Sequence, residues 1–560
     1  MSHKNLFIYL LGFINHLFVR YHKASLHLLL LLILIQSSLT GQITLTSSDL
    51  PLFVLDTDTA IIVDEPKITA HLGVIYNGEG HRNNVTDSYN HYDGLVGIEF
   101  RGATSQTLFE KKGYAMETRL ADGSNNNVEL LGLPKENDWV LHGPYSDKTL
   151  MRNALAYHIA GELMAWAPRT RFVEVILNGD YQGVYVLTEK IKVVKNRVDV
   201  TKQDEDESDV SGGYILKLDK TEGAINAGYT SEYPAITNGW QQSFYQYHFP
   251  KPKDITTSQM DYVSELISSI DETFMADDYA DPIDGYRRHL DEASMMDFFI
   301  VNELSKNVDG YRLSTFMHKD RDEVNDKLVF GPVWDFNLGF GNVDYCTGGS
   351  ASGFVAKEFN RVCSNDFWVI NFWWEKVLSD TLFTQGLGER WSDLREGVLS
   401  EVRLHEVVDS FALVLAESQI RNFQKYSVLG QYIWPNYRVQ NSYEGEVEWL
   451  KEWLSERLAW MDDNIPKLSD PPFDPRFTYD PEAIPNPVVS SAVLRYYSSA
   501  ISEVWYTIVD AQGRLIKHER VRDQSNGFNE IAIPSDLNEG IYYFVLTIDG
   551  KKHTGSFVRL

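Results

Sequence analysis

The sequence predicts an α+β protein: a strand-rich first part, a mainly helical second part and a small all-β sandwich at the C-terminus. Three observations carry this. Short β runs and a hairpin signal dominate from about Ser47 to Val198. Apolar and aromatic residues fall at helical spacing after about Ile255. Alternating strands between turn residues resume beyond a proline-dense stretch at 466–487. The chain of 560 residues is 43% hydrophobic and 13% aromatic, enough to offset ordering entropy, so wholesale disorder is excluded.

At the N-terminus, Lys23 leads into the apolar run Leu28–Ile35 and then Gln36, Ser37, Ser38, Leu39, Thr40 and Gly41. That basic, apolar, small-polar order reads as a signal peptide over 1–41, with an extended n-region before Lys23. The run is far shorter than the ~20 apolar residues a spanning helix needs. A membrane anchor built from this run and the earlier patch Leu6–Val19 is the rival reading.

A domain is expected over 42–465. Gly97–Phe100 and Tyr114–Thr118 read as strands, and Phe172–Leu177 and Gly183–Leu187 flank Asn178-Gly179-Asp180 as a hairpin. Between them, Asp147 precedes an amphipathic helix at Thr149–Leu163. The acidic run Asp204–Asp209 reads as a solvated loop. Trp373–Leu394 and Val447–Met461 carry helical stripes, the second with Trp449, Trp453 and Trp460 as core residues. Residues 466–487 read as a proline-rich linker, and 488–560 as a β-sandwich with turns at Asp510–Gly513, Ser525–Gly527 and Asp549-Gly550.

Formal net charge is −28, from 51 basic and 79 acidic residues. Such a field repels polyanions, so nucleic acid is not expected as a partner, and membrane is expected only during export or through surface anchoring. A local cationic pocket with a metal can still hold one nucleotide at short range. Two cysteines, Cys346 and Cys363, cannot build a four-ligand zinc site; one structural disulfide and two buried thiols both stand as readings.

Phosphoryl transfer needs a metal held by carboxylates, cations on the phosphates and a carboxylate for the incoming nucleophile. Three stretches offer these. Arg101-Gly102-Ala103-Thr104-Ser105-Gln106 is a small-residue turn leading to Lys111 and Lys112. Asn307-Val308-Asp309-Gly310-Tyr311-Arg312 sets a carboxylate before a glycine, and Trp334-Asp335-Phe336-Asn337 sets one between aromatics. Solvated lysines and an ordinary Asx turn are the plain alternatives for the first two. Asp335 among aromatics is costly unless paired or metal-bound.

With further stretches, these segments resemble the CotH (spore coat protein H) kinase family: Leu130-Leu131-Gly132-Leu133-Pro134, Asn137-Asp138-Trp139, Asp147–Asn153, Asn178–Tyr185, Glu189-Lys190-Ile191-Lys192 and Gly212–Ile215. The resemblance implies an atypical, two-lobed protein-kinase-like fold that binds ATP with Mg²⁺ or Mn²⁺ and phosphorylates a protein substrate. It makes Asp309 the catalytic carboxylate, Asp335 the metal ligand, and Lys112 or its neighbour Lys111 the phosphate contact. Arg152 becomes a phosphate clamp and Glu189 a lysine partner or adenine-side residue, with structural roles open for both. Where conventional kinases have a metal-binding Asn, this chain has Ser314, a weaker oxygen ligand, and Asn337 stands where relatives often have an acid. The resulting alternative is a catalytically weak or inactive kinase-fold adhesin or scaffold. A carbohydrate-active hydrolase is the third reading, without an assignable carboxylate pair.

The C-terminal segment resembles the sorting domain of the Bacteroidetes type IX secretion system, through Val509–Arg514, Gly527-Phe528-Asn529, Leu537–Tyr542 and Phe557-Val558. That implies the type IX machinery as a partner and a secreted or outer-surface location.

Overall fold

Seven strands close into a barrel: β1 (Leu52–Asp56), β2 (Ile68–Ile75), β3 (Tyr92–Arg101), β4 (Gly113–Arg119), β5 (Asp138–His142), β6 (Thr170–Leu177) and β7 (Asp180–Glu189), numbered over the main sheets. In the computed structural model, residues 43–203, 209–221, 227–236, 239–469, 482–484, 486–488, 492–498, 504–521, 527–548 and 551–560 are described. The signal-peptide reading, most of the acidic run and the turns at 525–526 and 549–550 lie outside them.

The barrel order is β6-β7-β5-β4-β3-β2-β1, closed by parallel pairing of β1 with β6 at Leu52–Leu55 and Glu174–Leu177. The strands send alternate side chains inward: Phe53 and Leu55, then Ala70, Leu72 and Val74, then Tyr92, Val96 and Ile98, then Tyr114 and Met116, Trp139 and Leu141, Val173 and Val175, Tyr185 and Leu187. Period-two alternation fills the interior, and closure leaves no edge strand. The β6–β7 hairpin turns through Asn178 and Gly179, both left-handed (φ 51° and 79°), as a two-residue turn requires.

Two helices interrupt the barrel sequence: α1 (Thr104–Leu108) and α2 (Arg152–Leu163). The second begins later than its apolar spacing suggests, because Leu150 is left-handed (φ 64°). Asp147 instead accepts the N–H of Thr149 at 3.1 Å and of Arg152 at 2.8 Å.

Beyond the barrel lies an antiparallel five-stranded sheet with β8 (Tyr214–Leu218), β9 (Gly228–Pro234), β10 (Gln242–Phe249), β11 (Thr315–Lys319) and β12 (Leu328–Phe330), in the order β9-β10-β8-β11-β12. Its last two strands fall within the part expected to be helical. Runs this short look the same in a buried helix or strand, and pairing partners distant in sequence decide. Helices α3 (Thr257–Met275), α4 (Glu292–Ser305), α5 (Val355–Val362), α6 (Phe372–Val377), α7 (Thr381–Arg395), α8 (Glu401–Leu415), α9 (Ser418–Lys425) and α10 (Tyr443–Asn464) share one core with this sheet. The stripe at Trp373–Leu394 is thus two helices, parted where Asp380 caps α7 by accepting the Leu382 N–H at 3.0 Å. Trp449 and Trp453 are buried, and Trp460 packs against the same core.

Cys346 and Cys363 form a disulfide with Cα atoms 5.5 Å apart. The C-terminal unit is all-β: β13 (Glu482–Ile484), β14 (Val493–Ser498) and β17 (Gly527–Ala532) in one sheet, β15 (Val504–Asp510), β16 (Leu515–Arg520), β18 (Gly540–Ile548) and β19 (Lys551–Arg559) in the other. Strand β13 lies inside the stretch read as linker and pairs with β14.

Candidate functional site

The two candidate carboxylates sit on successive loops of the second sheet. Asp309 lies between α4 and β11, and Asp335 follows β12. Both loops use left-handed backbone at non-glycine residues: Lys306 (φ 46°), Tyr311 (70°), Ser314 (47°), Asp335 (62°) and Phe340 (53°). Such conformations persist only where surrounding packing over-determines them, and they gather at functional sites.

Asp309 is held from one side. Arg312 donates to its Oδ1 at 2.7 Å. Arg312 is fixed in turn by the carbonyls of Val308 (3.0 Å) and Trp368 (3.2 Å), by Asp366 at 3.3 Å, and by the Phe359 ring 4.1 Å from its guanidinium carbon. The Asp309 side chain keeps 24% of its surface exposed. Burial pushes its carboxyl up, Arg312 and Lys220 pull it down, and Asp366 and Asp219 push it up again.

Asp335 is open to solvent, yet burial by the surrounding protein pushes its carboxyl up to about 6. The charge of Asp309 raises it further, whereas Arg101 lowers it, so the two carboxylates and Arg101 share one electrostatic neighbourhood. The surrounding Trp334-Asp335-Phe336 segment is pinned to α2. The Asp335 N–H donates to Tyr157 Oη at 3.0 Å and the Phe336 N–H to Asn153 Oδ1 at 2.6 Å, while Trp334 stacks on Tyr157 at 5.9 Å. Arg101, at the end of β3, lies 5.1 Å from the centre of the Trp334 ring.

The carboxylates have cationic surroundings despite the acidic chain. Lys220 follows β8 and acts on both Asp309 and Asp335. Lys190 is pushed down by burial, drawn up by Asp138 at 3.7 Å, and lowered again by Arg101, Lys67 and Lys251. His248 nearby is pushed down to about 3 by burial and then by Lys217, opposed by its contact with the Ile191 carbonyl, before Lys190 and Lys251 add to the shift. The charge of Arg101 thus reaches Lys190, and that of Lys190 reaches His248.

The other residues expected at the site are placed differently. Lys111 is buried, donating to the Val184 carbonyl and to Asn422 Oδ1 at 2.8 Å between the rings of Tyr185 and Tyr426. Burial holds its ammonium well below the usual lysine range. It ties the barrel to α9 and presents no cation to a phosphate. Lys112 donates to the carbonyls of Gln106 and Phe109, each at 2.6 Å, and so closes the α1 turn. The cation that this segment brings to the carboxylates is therefore Arg101.

Arg152 is buried against Asp147 Oδ1 at 2.6 Å and reaches the Phe340 carbonyl at 3.5 Å, clamping the loop after Asp335 to the start of α2. Glu189 is fully buried and paired with Arg169 at 2.7 and 2.9 Å, with Arg197 at 3.7 Å; its partners are arginines. Ser314 is half-buried at the end of the Asp309 loop. Sequence reasoning passed over Arg101, Lys190 and Arg312, though each stood inside a quoted motif. Asp219 and Lys220 carried only the signal of a charged pair ending a strand.

Among the described residues, no group of three or more His, Cys, Asp and Glu side chains is gathered to hold a metal. Two carboxylates with cations beside them suit a metal that arrives with phosphate oxygens, because Mg²⁺ is commonly held by one or two carboxylates plus substrate phosphates. Among the described residues, no helix is long and apolar enough to cross a membrane.

Comparison with known proteins gives two matches. Residues 98–461, more than half of the chain, match the family model described as CotH kinase protein. Residues 482–559 match the secretion system C-terminal sorting domain, which implies export through the type IX machinery to the cell surface or medium. No curated relative matches the chain.

Proposed function

Because the chain belongs to the CotH kinase protein family, we propose that it is an exported phosphotransferase with a protein-kinase-like, two-lobed plan that uses ATP and Mg²⁺ or Mn²⁺. The observation that carries this reading is the pairing of Asp309 and Asp335 on successive loops, with Arg101 and Lys220 acting on the same carboxylates. The order helix α4, Asp309 loop, strands β11 and β12, Asp335 loop supports it. Protein kinases likewise set a base-bearing loop ahead of a metal-binding Asp.

In this reading Arg312 holds the Asp309 carboxylate in place, and burial makes that carboxylate a better proton acceptor. Asp309 takes the proton of the acceptor hydroxyl. The hydroxyl oxygen forms its bond to the γ-phosphorus as the bond to the β-phosphate oxygen breaks, and ADP leaves. Arg101 and Lys220 stabilise the phosphate charge. Asp335, with Ser314 as a second protein oxygen, would hold the divalent cation, which neutralises charge on the transferring phosphate when bound. Arg152, Asn153 and Tyr157 keep the Asp335 loop in register.

The test is thermal melting of the mature protein with ATP and Mg²⁺, together with labelling from γ-labelled ATP. Ligand at 100 times its dissociation constant adds about 2.7 kcal/mol of stability. A melting rise and labelling, both lost in Asp335→Asn, are expected; labelling unchanged in that variant refutes the assignment. A melting rise without labelling identifies the alternative, an inactive kinase-fold scaffold that Ser314 and Asn337 favour.

A further inference from the structure

We propose that the Cys346–Cys363 disulfide is a redox gate on Asp309, setting that carboxylate in place only once the chain has left the reducing cytoplasm; its effect on transfer rests on the phosphotransferase reading above. The bridge joins two segments 17 residues apart in sequence, and each of them touches the Asp309 loop.

The first segment lies on the entry to that loop. A Cβ added at Gly348 would come within 2.5 Å of Val308 Cγ1, so the backbone there is seated directly on the residue before Asp309. Lys306 donates from the same loop to the carbonyls of Thr347, at 2.8 Å, and Ser352. Cys346 and Thr347 are both left-handed (φ 51° and 58°), a backbone that persists only where its surroundings over-determine it. The covalent tie to Cys363 is part of those surroundings.

The second segment holds Arg312, which in turn holds Asp309 at 2.7 Å. The Phe359 ring lies 4.1 Å from the guanidinium carbon, Asp366 pairs with it at 3.3 Å, and the Trp368 carbonyl accepts from it at 3.2 Å. Cys363 stands among these three. Its N–H donates to the Phe359 carbonyl at 2.8 Å, and its carbonyl accepts the Asp366 N–H at 2.9 Å. The bridge therefore fixes the two supports of Asp309 relative to each other.

Opening it acts locally, because the roots of both segments have other anchors. Glu303 accepts the N–H groups of Val355 and Ala356 at 2.9 and 2.8 Å and pairs with Arg457 at 3.1 Å. Arg457 also holds the carbonyls of Ala351 and Gly353, each at 2.8 Å, and Asn360 exchanges two hydrogen bonds of 2.8 Å with Ile370. What relaxes is 345–350 and 361–369. The Asp335 segment is pinned separately, by Tyr157 and Asn153 on α2. Loss of the bridge thus displaces Asp309 and leaves the Asp335 side in place.

Both cysteines are half-buried, within reach of a small thiol or disulfide. Thiols stay reduced in the cytoplasm and pair outside it, and the sorting domain sends this chain outward. Closure is thiol–disulfide exchange: one thiolate attacks a small-molecule disulfide, and the second cysteine displaces the mixed disulfide to form the Sγ–Sγ bond. Two electrons and two protons pass to the oxidant, which leaves as two thiols. Before closure, among cytoplasmic ATP and proteins, Asp309 is poorly placed for transfer.

The test compares the mature protein oxidised, reduced with dithiothreitol, and reoxidised with oxidised glutathione, all well below its melting transition. Hydrogen exchange reports the loops, and γ-labelled ATP with Mg²⁺ reports labelling of the protein itself and of dephosphorylated casein. Reduction should speed exchange in 306–314 and 361–369 and slow labelling at saturating ATP about tenfold or more. The ATP concentration for half-maximal rate should stay the same, and reoxidation should restore both readouts. The variant carrying Cys346→Ala and Cys363→Ala should match the reduced protein and ignore dithiothreitol. Unchanged exchange in 306–314, or unchanged labelling, overturns the gate and leaves phosphotransfer standing. So does a loss of protection spread over the whole domain, which marks the bridge as a general staple. Labelling absent in every redox state overturns the phosphotransferase reading; exchange in 306–314 then decides alone whether the bridge governs the Asp309 loop.

Discussion

Replacing Asp335 by Asn should stabilise the ligand-free protein while abolishing its response to ATP and Mg²⁺. The Asp335 carboxyl stands at about 6 against an ordinary 3.8, chiefly because burial opposes its charge and then because Asp309 repels it. A shift of about two units corresponds to ~3 kcal/mol for a group shut off from water. Asp335 reaches solvent, and screening reduces the figure to about 1 kcal/mol. The sign follows from protonation. Well below pH 3.8 the carboxyl is neutral folded or unfolded, and wild type and variant are equally stable. As pH rises from about 4 to 6 the unfolded chain sheds a proton that the folded carboxyl still holds, so wild type loses stability across that window and the advantage of Asn is complete by pH 7.5. Asn also tolerates the left-handed backbone at this position (φ 62°), so the substitution adds no strain. The assay is thermal melting from pH 4 to pH 7.5, with and without ATP and Mg²⁺. The variant should melt a degree or more higher at pH 7.5 alone and show no ligand shift. A variant that melts lower at pH 7.5, or that keeps the wild-type ligand shift, refutes the reasoning.

ATP affinity of the wild type should fall about tenfold for each pH unit below 6, since a divalent cation needs the ionised Asp335, and titration calorimetry in Mg²⁺ measures this. Arg101→Ala should raise the ATP dissociation constant about tenfold or more, whereas Lys111→Met should leave it unchanged and cost about 1–3 kcal/mol of stability by leaving the Val184 carbonyl without its donor. Denaturant titration and calorimetry on the two variants check both halves. Arg152→Met leaves Asp147 buried without its cation and should cost about 3–5 kcal/mol, with a loss of labelling that follows the released Asp335 loop. Cys346→Ser opens a loop of 17 residues and should cost ~3 kcal/mol, as reduction of the wild type should in the same melt.

How much was legible follows from how far each decision reaches along the chain. The β6–β7 hairpin could be read because Asn178-Gly179 settles its turn locally. Barrel closure could not, because it depends on Leu52–Leu55 meeting Glu174–Leu177, and no local pattern names that partner. The same distinction divides the site. Asp335 between aromatics stood out, since a carboxylate in such surroundings needs a reason wherever it folds, whereas Asp309 before a glycine read equally as an ordinary turn. The lysine pair carried no such constraint. In the bend before β4, Lys111 turns inward, toward a carbonyl on β7 and Asn422 on α9, and Lys112 back onto its own loop. Arg101 was readable only as a neighbour of Gly102 until Trp334 supplied the face on which it rests. A cation near a motif is therefore weak evidence for phosphate binding until its partners are known. Lys111 and Lys112 have carbonyls to satisfy, whereas Arg101 and Lys220 act on the carboxylates themselves.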